Sequence, residues 1–226
     1  LKKVALFGAG RTGHFVAELV TVAGPFTRSR AASVPELREC EAAVLFVPGA
    51  AIPSLLPSLL EAGIPVISGA TGYEFTAADK ESIRARGVTW VQASNFSLGM
   101  NLMLELARRI GAYAPARELG SLTMQETHHV RKLDAPSGSA LSLERAVGRK
   151  VEIESIRSGD VVGLHTVTLE LPGEELTLTH NALDRRVFAE GALWAARLVR
   201  ERSIPAGFHL FEHLVRQHCF TEGNSA

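Results

Sequence analysis

Two adjacent histidines, His128 and His129, stand just ahead of Lys132, and the chain then runs Asp134, Ala135, Pro136, Ser137, Gly138, Ser139. An imidazole, with an ordinary pKa near 6.5, can give or take a proton at neutral pH, and a lysine ammonium can pair with a carboxylate or pass on a proton. Pro136 disfavours helical backbone at Ala135, and Ser137 is a suitable N-cap for a helix that starts there. The small residues Gly138 and Ser139 leave that helix's first N–H groups open to an anion. With a hydride donor added, such a grouping describes reduction of a C=N or C=C bond in a small acidic substrate. The donor has its own motif. GAGRTG, comprising Gly8, Ala9, Gly10, Arg11, Thr12 and Gly13, matches G-x-G-x-x-G between an apolar run and a helical pattern, the dinucleotide fingerprint in its proper setting.

About twenty residues after such a loop an acidic residue is expected to hold the ribose hydroxyls of NAD. This chain has Arg28, Ser29 and Arg30 instead. Guanidinium groups and a hydroxyl suit a 2′-phosphate and favour NADPH; the same residues also read as a solvated loop. A zinc site needs three or four converging ligands, and no nearby cysteine or HExxH arrangement supplies them, so no metal is expected. His209, His213 and His218 lie among Phe208, Leu210, Phe211 and Leu214, which reads as an amphipathic packing segment.

The elements that must position these residues follow from periodicity. Residues 4–7, 42–47, 64–68 and 88–92 read as buried strands, with helices over 11–23, 51–62 and 76–86. Only residues 25–29 are available for a second strand, whose brevity fits an outer place in the sheet. This βαβ series predicts a parallel sheet covered on both faces. Beyond residue 97 the rhythm changes to a helix over 98–111, a strand over 121–129 and a hairpin of 163–171 with 174–180 about the Pro172–Gly173 turn. Helices are expected over 184–202 and 208–216. The fold class is thus α/β: a Rossmann-type parallel-sheet domain (1–97 and 195–226) into which an α+β domain with an open mixed sheet (98–194) is inserted, with the cleft expected between them.

Composition bounds the function. Lys plus Arg equals Asp plus Glu at 24 each, which gives no bulk attraction for nucleic acid or an anionic membrane. No apolar run reaches the roughly 18 residues of a membrane helix, and the N-terminal apolar stretch breaks at Gly8, too early for a signal segment. The cysteines, Cys40 and Cys219, lie far apart, which suits a reducing compartment. A cytoplasmic location is expected.

ETHHVRKLDAPSGSA (126–140) resembles the signature of the 4-hydroxy-tetrahydrodipicolinate (dihydrodipicolinate) reductase family, E-x-H-H-x-x-K-x-D-A-P-S-G-T-A, departing only at Ser139. Similar stretches span nearly the whole chain: GATG (69–72), ASNFSLGMN (93–101), SGDVVGLHTV (158–167) and HNALDRRVFAEGA (180–192). The resemblance implies NADPH- or NADH-dependent reduction of a cyclic imine dicarboxylate in lysine and diaminopimelate biosynthesis, by a homotetramer built through the mixed-sheet domain. It implies that His128 is the general acid/base and Lys132 a second proton donor. His129, Lys132, Ser137, Gly138 and Ser139 would hold the substrate carboxylates, Gly8 to Gly13 the pyrophosphate, and Gly69, Ala70, Thr71, Ala93, Ser94, Asn95 and Phe96 the nicotinamide side.

Departures gather around the cofactor. The family loop G-x-x-G-R-M-G is one residue longer, with methionine at the place of Thr12. FVPGA (46–50) replaces a more polar segment, and Leu164 stands where glutamate is common. Two other readings use the same folds. A related amino-acid dehydrogenase would not need the HHxxK and PSGS group, and a cofactor-binding sensor would keep the cleft without turnover.

Overall fold

The computed structural model describes residues 1–201 and 204–220. In chain order, β1 (Lys3–Phe7) passes through the glycine turn into α1 (Arg11–Leu19). There follow β2 (Thr21–Phe26), α2 (Val34–Arg38), β3 (Ala43–Leu45), α3 (Ile52–Ala62), β4 (Val66–Ser68), α4 (Ala77–Ala85) and β5 (Thr89–Gln92). The chain then builds α5 (Leu98–Ala112), α6 (Ala114–Glu118), β6 (Ser121–His128), α7 (Gly138–Val147), β7 (Glu152–Arg157), β8 (Gly163–Leu171) and β9 (Glu174–Ala182). It finishes with α8 (Arg186–Glu201), β10 (Gly207–Leu210) and α9 (Phe211–Cys219). Two compact units result: Leu1–Phe96 with the described residues from Arg186 onward, and Ser97–Arg185. All of α8 belongs to the first unit, so the chain re-enters it at Arg186, upstream of the expected 195.

In the first unit six strands lie in the order β10-β5-β4-β3-β1-β2, every neighbouring pair parallel. Alternate residues feed two cores. Val4, Leu6, Val44 and Ile67 pack with Leu193, Phe211 and Leu214 on one face, and Ala5, Phe7, Leu45 and Trp90 with Leu37, Leu59 and Ile83 on the other. This double coverage is why the strands read as continuous apolar runs. Local signals set the helix ends: Ser33 with Glu36 and Thr76 with Asp79 form reciprocal capping boxes, and Gly63, left-handed at φ 72°, closes α3.

Two elements differ from expectation. The helix expected over 11–23 stops at Leu19, and the second strand runs Thr21–Phe26, not 25–29. Val20, Thr21 and Val22 are β-branched and favour extended backbone, and Val22 pairs with Val4 in the sheet. The strand does lie at the sheet edge. The helix expected over 208–216 is divided: Gly207–Leu210 adds to β5 as a parallel strand, and α9 begins at Phe211. Phe208 there meets Phe75 at 4.8 Å between ring centroids, so it packs from a strand.

The second unit is a four-stranded sheet, order β7-β6-β8-β9, with β6 and β7 parallel and the other pairs antiparallel. β7 was not anticipated. Leu122, Met124, Val167 and Leu169 bury one face against Met100, Met103, Leu143 and Val147 of α5 and α7. Those helices touch backbone to side-chain void: a Cβ on Gly111 would lie 2.0 Å from the Val147 carbonyl oxygen. Gly111→Ala is expected to destabilise the protein by about 2 kcal/mol in urea unfolding, because overpacking against backbone outweighs the helix-propensity gain of about 1 kcal/mol. Unchanged or increased stability would show that the helices can part freely.

Candidate active site

Register places the cluster. Glu126 pairs with Ser155 of β7 and His165 of β8, and His165 with His180 of β9. Side chains directly opposite share a face, so Ser155, Glu126, His165 and His180 form one row on the helix-covered side. In the adjacent row His128 pairs with Arg157. Gly163 makes the rows compatible: a Cβ there would come within 3.1 Å of His128 Nε2 and 3.5 Å of the His165 ring. The His128 and His165 rings lie edge to face, 5.1 Å apart. Strand β6 ends at His128, so His129 leaves the sheet and its carbonyl accepts from the Lys132 N–H at 3.0 Å.

Glu126 is 1 % exposed, and both its oxygens accept hydrogen bonds. Oε2 accepts from His128 Nδ1–H, and Oε1 accepts from Arg157 Nη2 at 3.0 Å. Burial works to raise the Glu126 carboxyl, but hydrogen bonds led by that of Arg157 outweigh it and hold the pKa below the ordinary value. His128 has the opposite balance: burial pushes its imidazole down, and Glu126 recovers only part of the loss. Arg157 also donates to the carbonyls of Lys132 (3.3 Å) and Asp134 (2.6 Å), which ties the loop after β6 to β7. Lys132 Nζ lies 2.9 Å from the Asp134 carboxylate, whose pKa that contact lowers. Asp134 is thus the counter-ion of Lys132.

The helix after this loop starts as the sequence predicts. Ser137 Oγ accepts from the Ala140 N–H at 3.2 Å and lies 3.3 Å from His165 Nε2. Ser97 repeats the arrangement at the start of α5, accepting from Met100 N–H and meeting His180 Nε2, both at 3.1 Å. Each covering helix is therefore pinned to the sheet by a serine–histidine pair. Gly138 opens α7 with space where a side chain would be, and no acidic residue occupies the first turn. That helix end can receive an anion.

The sequence showed no third metal ligand near the histidine pair, yet the fold brings one. Ligand atoms of Glu126, His128 and His165 lie within 4.8 Å of one another. With both Glu126 oxygens engaged and a guanidinium on one of them, the group is built as a proton network. Glu126, Arg157, His165 and His180 are what the sequence reading left without roles; strand alternation already set Glu126 beside His128, but the others needed the register.

In the first unit the glycine loop fits a dinucleotide. Gly8 has φ +98°, and a Cβ on it would strike the Phe46 carbonyl at 2.3 Å; one on Gly13 would lie 2.4 Å from the Gly8 carbonyl. Gly10 is open to space, and α1 begins with no side-chain cap and no acidic residue in its first turn. The loop sits where strand order reverses, between β1 and β3, the place where open α/β sheets bind ligands. Arg28 and Ser29 follow β2, Gly69 to Thr71 follow β4, and Ala93 to Phe96 follow β5. Parallel strands put all these at one sheet edge. Within this set Phe96 is a core residue, 1 % exposed and 4.8 Å from the Phe211 ring, with Gly191 of α8 pressed on its carbonyl. Ala70 and Ala93 are buried too. Arg28 and Ser29 lie in a tight turn closed by Thr27 and Arg30, and the Arg30 guanidinium stacks 4.8 Å from the Phe26 ring. Leu164 is on the sheet face away from the histidines, since it pairs with Thr127.

A chain with a dinucleotide cradle, and with a proton-handling histidine near an anion-receptive helix end, falls in the class of nicotinamide-dependent oxidoreductases. Residues 99–214 match the family model described as dihydrodipicolinate reductase, C-terminus. A 4-hydroxy-tetrahydrodipicolinate reductase from Gluconobacter oxydans is 38 % identical over 193 residues, 76 % of each chain. One from Acidiphilium cryptum is 34 % identical over 215 residues, covering 83 % of this chain and 87 % of its own. Among solved structures, a dipicolinate-bound dihydrodipicolinate reductase from a Paenisporosarcina species shares the fold, with a TM-score of 0.74 at 18 % identity over 95 % of this chain and 99 % of its own. The chain belongs to the 4-hydroxy-tetrahydrodipicolinate reductase family.

His165 yields a test of the cluster. Burial first, then the charges of His128 and His180, depress its pKa from 6.5 to about 4. Between those values the unfolded chain binds a proton that the folded chain refuses. Stability from this group is therefore whole above pH 6.5 and is lost as pH falls toward 4, on the order of 3 kcal/mol in full. Urea unfolding of His165→Gln should show a shallower decline between pH 7 and 4.5 than the wild type. Parallel declines would remove His165 from this account.

Proposed function

We propose that the protein catalyses NAD(P)H-dependent reduction of 4-hydroxy-tetrahydrodipicolinate (dihydrodipicolinate) to tetrahydrodipicolinate, in the cytoplasm, within diaminopimelate and lysine biosynthesis. The observation that carries the reading is the buried Glu126–His128 pair on the strand that leads to Lys132 and the open start of α7, in a chain of this family. NAD(P)H, when bound at the glycine loop, supplies a hydride; the chain supplies the proton. His128 holds that proton at Nε2, its Nδ1 being committed to Glu126. The Gly138 and Ser139 N–H groups and the Ser137 hydroxyl receive one substrate carboxylate, and Lys132 with His129 receives the other. Binding energy from these remote groups orients the ring, so that charge appearing on it is neutralised where it forms. Lys132, held by Asp134 beforehand, is positioned as a second donor.

NADPH is the preferred cofactor in this reading, supported by Arg28 and Ser29 after β2 and by the lack of an acidic residue there. The assembly is a homotetramer, supported by the second sheet's uncovered face, where Thr123, Gln125 and Thr177 stand exposed to solvent. Among the described residues no helix is long and apolar enough to cross a membrane.

Oxidation of NADPH and NADH, followed separately on substrate formed in situ from pyruvate and aspartate semialdehyde by the preceding synthase, should show turnover, faster with NADPH. His128→Gln and Lys132→Ala should each lower kcat by about 100-fold or more. Near-normal rates in both variants would refute the assigned roles, and failure to bind either cofactor in fluorescence titration would refute the reaction. Sedimentation equilibrium should return four times the chain mass of 24.3 kDa; a monomer would contradict the assembly.

A further inference from the structure

Under His128 lies a carboxylate that proton transfer alone does not require. Glu126 is enclosed by the sheet and by α5 and α7, yet it stays anionic because Arg157 donates to Oε1 at 3.0 Å while His128 Nδ1 donates to Oε2. A buried carboxylate held in this way dictates the state of the ring above it. Only an Nδ1–H can satisfy Oε2, so the neutral ring has its lone pair on Nε2, the atom that a side chain at Gly163 would crowd at 3.1 Å. The other groups around the ring do not do this. His165 of β8 is edge-on to it, with His180 of β9 behind; Ser155 and Arg157 approach from β7, Lys132 and Asp134 from the loop, and Ser137 from α7. Lys132 and Arg157 oppose a positive charge on the ring, and Glu126 is the neighbour that favours it.

We infer that Glu126 is a positioning residue for the proposed reaction: it fixes the His128 proton on Nδ1, leaves Nε2 as the single exchanging atom, and stabilises the imidazolium that donates to substrate. Arg157 keeps Glu126 charged and, through the Lys132 and Asp134 carbonyls, holds the second donor's backbone to the same carboxylate. The inference rests on the function proposed above, and its closing experiment separates the two.

Glu126→Gln is the informative change, because it keeps the shape of the side chain, removes its charge and leaves one acceptor oxygen for the two donors Arg157 and His128. Histidine-labelled protein examined by 15N NMR should show His128 as the Nδ1–H tautomer in the wild type, and Glu126→Gln should lose that strict preference. The variant's kcat should fall about 10- to 100-fold with little change in KM. The limb on which rate declines as His128 loses its proton should move about one pH unit lower, as loss of a neighbouring opposite charge requires. An Nε2–H tautomer in the wild type overturns the inference without any variant, as does a variant whose lower rate leaves that limb in place. Absence of turnover by the wild type would count against the reaction alone, since the NMR arms still judge Glu126.

Discussion

A carboxylate at 1 % exposure cannot remain charged without donors on both oxygens, and the second unit is organised around meeting that demand at Glu126. The guanidinium that answers it comes from β7, which pairs parallel to β6. The imidazole that answers it comes from two residues along β6, where alternation returns a side chain to the same face. Having donated to Glu126, Arg157 still has N–H groups in its planar fork, and these reach the carbonyls of the loop that carries Lys132. One buried charge therefore sets the strand pairing, the histidine orientation and the path of the loop together.

Much of this was legible beforehand, and the reasons differ by element. The parallel sheet could be read because strands buried on both faces show unbroken apolar runs, and the hairpin because Pro172–Gly173 separates two alternating segments. The Ser137 cap was readable from local chemistry alone. β2 was misplaced because Val20 to Val22 satisfy a helical stripe and an extended strand equally, and only pairing with β1 decides between them. β10 escaped for a similar reason: Gly207–Leu210 is too short to display its own period, and its partner β5 lies over a hundred residues earlier.

The site shows the same division. His128, Lys132 and Ser137 belong to one contiguous stretch, so spacing exposes them. Arg157, His165 and His180 come from three other strands, and only register brings them into adjacent rows with Glu126. Nothing in their immediate neighbours marks them as polar residues of a covered face. Phe96 illustrates the converse, since a position beside the expected cofactor edge carries a ring that belongs wholly to the core.

Helix α7 is gripped at both extremities. Its first residue follows the Ser137–His165 bond, and its last, Val147, abuts Gly111 of α5 with no room for a methyl group. Ten residues of helix make a rigid rod of roughly 15 Å. A displacement at the far tip is thus carried lengthwise to the open start of the helix, well away from the substituted residue.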